Sequence, residues 1–240
     1  MEQLPTPFYR LRLAFVRGFD RLCRMARWTT LERIMLKAVA KRNALFFVQI
    51  GANDGVIYDP IHRFVQQSEW RGLLVEPVRL YFDRLRENYR DNERLVFENV
   101  AISSCREVRD FYRVKENVPY LPKWCDGLGT FDLEILLTHK WAVPDLERYV
   151  VKEQIQCISL NDLIEKHQIA KIDLLLVDTE GYDYEILKQI DFEKFAPGIL
   201  LYEHQYIDKN KRLGFENELE GRGYRISRHL GNTLAYIPED

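Results

Sequence analysis

Two patterns alternate along most of the chain. Short apolar runs fall at 45–50, 72–76, 95–102, 172–177 and 199–202, the length of buried strands. Between them apolar residues recur three and four apart, as on one face of a helix. Val78, Tyr81, Phe82, Leu85 and Tyr89 mark one such face. A helix is expected over 60–68, with Asp59 as N-cap and Pro60 as its first residue. Ser159-Leu-Asn-Asp162 reads as a capping box variant before Leu163 and Ile164, and 216–222 reads as a further helix. At the end, 224–228 and 233–237 flank a Gly231-Asn232 turn and predict a closing antiparallel hairpin. Strands alternating with helices imply βαβ units and a parallel sheet. Residues 105–150 break the rhythm. They hold one expected hairpin strand, 108–114, followed by Pro119, Pro122, Gly127, Gly129 and Pro144.

Composition narrows the picture modestly. With 240 residues, 46% hydrophobic and 30% charged, the chain can bury a large core. Four scattered cysteines without a C-x-x-C motif argue against a zinc ribbon or a disulfide framework. They fit a reducing compartment, so a cytoplasmic protein is expected. No apolar run approaches the roughly 18 residues of a membrane span. Arg10, Arg12 and Arg17 interrupt any signal-peptide core.

Charge is divided unevenly. Residues 1–43 carry a formal +7 and the remainder −9. Phe8, Leu11, Phe15, Phe19, Leu22 and Ala26 form an apolar stripe with arginines opposite, which predicts a basic amphipathic helix over 8–28. Such a helix either packs its stripe on the main domain or rests on anionic lipid as a peripheral contact. The acidic remainder disfavours nucleic acid as a partner.

The run FFVQIGANDG ends a strand in a turn with two glycines, Gly51 and Gly55. In an open α/β sheet ligands bind beyond the carboxyl ends of the strands. Dinucleotide sites use G-x-G-x-x-G there, but this turn lacks the middle glycine. Asp54 would set a negative charge against a pyrophosphate, which Coulomb repulsion disfavours. S-adenosylmethionine has no phosphate, and its ammonium and sulfonium favour nearby carboxylates. Glu76, 25 residues after Gly51, ends the second strand, where an acid can accept both ribose hydroxyls. NAD sites also use an acid in that place, so Asp54 and Glu76 together favour the methyl donor.

The series VQIGANDG (48–55), LLVEP (73–77), ENVAIS (98–103), DLLLVDTEGYDYEIL (173–187) and ILLYEH (199–204) resembles the FkbM family of S-adenosylmethionine-dependent methyltransferases. The resemblance covers about 44–204. It implies a class I methyltransferase domain over 44–240, a Rossmann-like α/β fold whose seven-stranded sheet has an antiparallel last strand. Residues 1–43 then form a helical extension, and 105–150 a substrate-side insertion. The family methylates hydroxyls on sugars, glycolipids or polyketides, so a small-molecule or glycan acceptor is implied. GLGTF (127–131) departs from the serine-rich pair common there, which leaves the acceptor contacts of that region open.

Carried onto this chain, Gly51 and Gly55 let the backbone approach the methionine portion of the donor. Asn53 and Asp54 hold its ammonium or a bridging water. Glu76 takes the ribose and Pro77 walls the adenine, whose edge meets the backbone of Asn99 to Ala101. Asp178 lies beside the sulfonium. A hydroxyl acceptor benefits from a base. His204 is the first choice, because imidazole titrates nearest neutral pH; Asp178 and Glu180 form a second choice. Asp178, Glu180 and Glu203 could instead gather a divalent ion, but no metal is expected. Aromatic residues of the insertion, among them Phe111, Tyr112, Tyr120, Trp124, Phe131, Trp141 and Tyr149, either cover the ligand edge or form a satellite core. His62, His139, His167 and His229 have no metal-ligand spacing. Two other readings stand beside this one: an NAD-dependent oxidoreductase, and a non-catalytic membrane-associated scaffold with a degenerate donor site.

The two readings of residues 8–28 predict different behaviour. A lipid-bound helix makes the full chain pellet with anionic vesicles and release as salt rises. A packed helix makes deletion of residues 1–40 lower the melting temperature, with vesicles having no effect. Vesicle binding that survives the deletion contradicts the lipid role of this segment.

Overall fold

A computed structural model describes residues 44–238 together with Met35 and Val39. The amphipathic segment 8–28 lies outside the described residues. Met35 and Val39 are both buried in the main core, so the described part of 1–43 packs on the domain.

The strands are β1 (Phe46–Ile50), β2 (Arg71–Val75), β3 (Leu95–Glu98), β4 (Ala101–Ile102), β5 (Glu107–Val114), β6 (Gly129–Thr130), β7 (Val150–Ile158), β8 (Leu174–Val177), β9 (Ile199–Glu203), β10 (Arg225–His229) and β11 (Asn232–Tyr236). The helices are α1 (His62–Gln67), α2 (Arg79–Asn88), α3 (Leu133–Leu137), α4 (Leu160–Lys166), α5 (Asp183–Leu187) and α6 (Lys209–Gly221). Seven strands form the main sheet in the order β10-β11-β9-β8-β1-β2-β3. Neighbours from β9 to β3 run parallel, and β11 runs antiparallel to both β9 and β10. The last strand is therefore reversed, as expected, but it inserts beside β9 and leaves its hairpin partner at the edge.

Strand parity sorts the core. Successive side chains point to opposite faces. Val48, Ile50, Leu175, Val177, Leu200 and Tyr202 pack with α4, α5 and α6 on one face. Phe47, Leu174, Leu176, Ile199 and Leu201 pack with α1, α2, Met35 and Val39 on the other. The ligand-bearing ends of β1, β8 and β9 inherit this division.

Several elements differ from expectation. The 95–102 run is two strands in two sheets: β3 pairs with β2, and β4 pairs with β7. The bend between them is tied by Asn99, whose Nδ2 donates to the carbonyls of Glu76 and Pro77. A second sheet, β4-β7-β5-β6, was not expected; its long ladder joins Glu107–Val114 to Val150–Ile158. Helix α1 is regular from His62 rather than Pro60, although Asp59 Oδ1 accepts from the amides of Ile61 and His62, the bonds expected of an N-cap at that position. Helix α6 starts at Lys209 rather than at 216, capped by Asp208 through the amides of Asn210 and Lys211. The hairpin turn is Leu230-Gly231, one residue earlier than expected. The capping box at Ser159 and Asp162 forms as expected.

Helix α2 is docked on the Gly51–Gly55 turn by two hydrogen bonds at its end. Asn88 Nδ2 donates to Asp54 O and Tyr89 Oη to Gly55 O, each at 2.8 Å. Tyr89→Phe removes the Gly55 bond and the 2.9 Å one between His62 Nδ1 and the same hydroxyl, and is expected to cost about 1–3 kcal/mol. Urea unfolding checks this: the midpoint should fall with an unchanged slope. An unmoved midpoint would show that the bond does not hold the turn.

Candidate functional site

A cleft opens at the carboxyl ends of β1, β2 and β8. Its wall includes Gln49, Gly51, Asn53, Glu76, Pro77, Ala101, Asp178 and Glu180. The insertion contributes Trp124, Gly127 and Phe131 to the same wall. Most sequence-predicted site residues thus meet in one place. Asp54, Gly55, Asn99 and His204 do not line it.

Gly51 is required by close approach as well as by conformation. Its φ is +84°, and a Cβ there would collide with the carbonyl of Asp178. The tips of β1 and β8 therefore touch by backbone, and the Asp178 amide donates to Ile50 O at 3.0 Å. Gly55 serves packing, since a Cβ would strike Leu85 of α2 and Tyr89 just beyond its end. Asp54 is buried within its own turn, where Oδ1 accepts from the amides of Val56 and Ile57 at 2.9 and 2.8 Å. The acid that raised the question of phosphate exclusion is thus a turn-maker. Asn99 likewise holds the β2–α2 turn from behind rather than facing the cleft.

Glu76 is where the strand pattern places it. It is only 5% exposed, and Oε2 accepts from Asn53 N at 2.8 Å while Oε1 accepts from Val78 N at 2.9 Å. A carboxylate oxygen has more than one lone pair, so both oxygens keep acceptor capacity toward the cleft. Burial pushes its pKa up to about 7 against those two hydrogen bonds.

Sequence reasoning missed Gln49 and Asp59. Gln49 is 2% exposed on the cleft floor; its Nε2 donates to Asp59 Oδ2 at 3.2 Å, and its buried Oε1 has no hydrogen-bond donor. A buried acceptor left unmet is costly, which makes this oxygen a place for a ligand's N–H or O–H. Burial raises the Asp59 pKa to about 7. The signal was available: Gln49 is a polar residue inside an apolar strand, on the parity of buried Phe47.

At the other end, Asp178, Glu180 and Glu203 each bring a carboxylate oxygen, and these atoms lie within 4.8 Å of one another. Three such charges repel strongly, so the group favours a shared proton, a cationic ligand atom or a hard divalent cation. Asp183, 1% exposed, secures the loop that carries two of them: its Oδ2 accepts from Thr179 Oγ1 at 3.0 Å and Gly181 N at 3.3 Å. Burial, then Asp178, raise its pKa to about 7. Glu180 itself is held at φ +50°, and Asn53 and Tyr58, also on the wall, are left-handed too. Non-glycine residues in that region are uncommon and cluster at functional sites.

His204 stands on the wrong face. It shares parity with Leu200 and Tyr202, and its Nδ1 lies 2.8 Å from Thr233 Oγ1. Thr233 in turn contacts Glu216 of α6, which pairs with Arg228. At 8% exposure it is a buried partner of this polar group, not a base for the cleft. Burial, then Arg212, lower its pKa. Glu203, one residue earlier, has the opposite parity and joins the carboxylates.

The insertion is both cover and core. Tyr112, Tyr120, Trp124 and Tyr149 pack against a cluster that includes Val114, Leu121, Leu136 and Leu146. Trp124 and Phe131 also face the cleft, while Trp141 is exposed.

The sheet order, the reversed β11 and a cleft at the tips of β1, β2 and β8 define a class I methyltransferase fold. The chain matches the model of the methyltransferase FkbM domain over residues 49–226, and it belongs to that family. Among solved structures it is similar to the methyltransferase FkbM from Methylobacillus flagellatus KT, at 15% identity and a TM-score of 0.50, covering 81% of this chain. This chain spans only 44% of that protein's length. A methyltransferase from Geobacter sulfurreducens aligns at 12% identity and a TM-score of 0.45, over 93% of this chain and 88% of that one. No curated protein matches the sequence.

Three buried carboxyls with raised pKa values make a pH prediction. Asp59, Glu76 and Asp183 titrate near 7 when folded and near 4 when unfolded. Between those values the folded state holds protons that the unfolded state has lost, so their contribution to stability falls as pH rises. Half-buried His139 and buried His204, with pKa values lowered from 6.5, act in the opposite sense as pH rises toward 6.5. Glu76→Gln isolates one carboxyl. Its stability relative to wild type should increase from pH 5 to pH 8 in urea titrations. A difference that is flat or declines would contradict a protonated, buried Glu76.

Proposed function

We propose that the protein transfers a methyl group from S-adenosylmethionine to a hydroxyl of a sugar, glycolipid or polyketide-like acceptor. Family membership supports methyl transfer and disfavours the NAD-dependent oxidoreductase. The observation that carries the cofactor is Glu76. Its buried carboxylate, fixed from two sides by amides, offers paired acceptors to two ribose hydroxyls. Pro77 and Ala101 then flank the adenine. The donor's ammonium answers the unmet Gln49 Oε1 beside Asp59, in the part first given to Asp54. Its methyl is directed toward Asp178 and Glu180.

The donor carries its own activation, so the protein's task is to hold two reactants in line. The wall formed by Trp124, Gly127 and Phe131 shields that meeting point from water. A hydroxyl acceptor fits the carboxylates Asp178, Glu180 and Glu203, which accept hydrogen bonds and disfavour an anionic acceptor. The cleft with these groups in place speaks against a degenerate scaffold. Among the described residues no helix is long and apolar enough to cross a membrane. A peripheral contact through residues 8–28 is kept as the alternative to packing of that segment.

Calorimetry tests the cofactor. Wild type should bind S-adenosylmethionine and not NADH. Glu76→Ala should lose a charged hydrogen-bond acceptor worth about 1.5–3 kcal/mol of affinity, roughly 10- to 150-fold. Unchanged affinity in a folded variant removes Glu76 from the site, and tight NADH binding would revive the oxidoreductase.

A further inference from the structure

The helical part of the insertion meets the carboxylate end of the cleft at two points. Ile135 of α3 packs on Gly181, the residue after Glu180. Four residues further on, His139 Nε2 lies 3.0 Å from Tyr206 Oη, three residues beyond the end of β9. The imidazole also rests against the Trp124 ring, with centroids 5.1 Å apart, and Trp124 is part of the cleft wall. Glu180 and Glu203 are the charges that act on the Tyr206 phenol, with Thr138 and Gln205 beside it. Neither ring is part of the cleft wall itself: Tyr206 adjoins it through Glu180 and Glu203, and His139 through Trp124.

We propose that Tyr206 and His139 form the proton-accepting wall of the acceptor subsite: the acceptor hydroxyl gives its proton to Tyr206 as Tyr206 passes its own to His139 Nε2. The proposal rests on the reading of the reaction as hydroxyl methylation. The step balances. The acceptor oxygen bonds to the methyl carbon, and the carbon–sulfur bond breaks with its electron pair left on sulfur. The sulfonium becomes a neutral sulfide, and the imidazole becomes an imidazolium that later releases its proton to solvent. Tyr206 is the group that meets the acceptor, and His139 acts through it.

The surroundings suit each partner to its part. Burial lowers the His139 pKa, so the ring is neutral and can accept near pH 7. Burial first, then Glu180 and Glu203, raise the Tyr206 pKa, so the phenol keeps its proton and donates. The relay fixes the direction of the 3.0 Å hydrogen bond: Tyr206 donates, Nε2 accepts, and the ring proton stays on Nδ1. A bond that only fastened the insertion would work equally well in reverse.

That direction can be measured without knowing the acceptor. Nitrogen-15 NMR of the full chain saturated with S-adenosylmethionine should show His139 at pH 7.5 with Nδ1 protonated and Nε2 bare. A proton on Nε2 overturns the relay. The kinetic arm uses labelled S-adenosylmethionine and a panel of methyl glycosides of the common hexoses in single turnover. Where a methyl ether forms, Tyr206→Phe and His139→Gln should each slow transfer by about 100-fold or more with donor affinity unchanged. His139→Gln should also abolish the fall in rate at low pH. Methyl ether formation at wild-type rates in both variants overturns the relay and leaves hydroxyl methylation standing. Transfer found only on nitrogen acceptors removes the hydroxyl reading, and the relay with it.

Discussion

The site depends on one buried carboxylate. Glu76 ends β2 and holds the amide of Asn53 from the β1 turn and that of Val78 at the start of α2. Its own amide donates to Glu98 at the end of β3. Asn99 closes the same corner from behind. Three chain reversals thus converge on a group that burial pushes toward neutrality. Such an arrangement is expensive unless the remaining acceptor capacity is used. Two adjacent hydroxyls would use it, which is the basis of the proposed ribose contact.

The insertion gives the cleft its second wall. Its long β5–β7 ladder and its own apolar cluster make it a packed unit rather than a loose loop. From that base it reaches the β1 turn, where Gly127 packs against Asn53, and the loop after β8, where Ile135 packs on Gly181. Both reactants would therefore be bounded by the main sheet on one side and by the insertion on the other. The strained backbone at Asn53, Tyr58 and Glu180 lies along this same seam.

Much of the main sheet was legible because parallel strands buried on both faces are continuous apolar runs. The turn at Gly51 and the acid at Glu76 were legible for the same reason: each ends such a run. The second sheet was not. Its strand β7 alternates, with Ile155 and Cys157 buried between exposed Gln154 and Gln156, and half of its residues look like loop. The 95–102 run reads as one strand because nothing in an apolar string marks where it changes sheet. His204 shows a different limit. Its place at a strand end was right, but its face follows from counting two residues on from Tyr202, whose ring packs on Phe215 of α6. Asp54 shows another: an acid in a turn serves its own backbone before it serves a ligand, and its Oδ1 is taken up by the amides of Val56 and Ile57. Gln49 and Asp59 come together only in three dimensions, so their pairing had no signal in sequence spacing.

The most direct test of this account is a crystal structure of the protein with S-adenosylhomocysteine. The nucleoside should lie in the cleft, with both ribose hydroxyls on the Glu76 carboxylate, the ammonium beside Gln49 Oε1, and the sulfur directed toward Asp178 and Glu180. A nucleoside bound elsewhere, or a ribose turned away from Glu76, would contradict it.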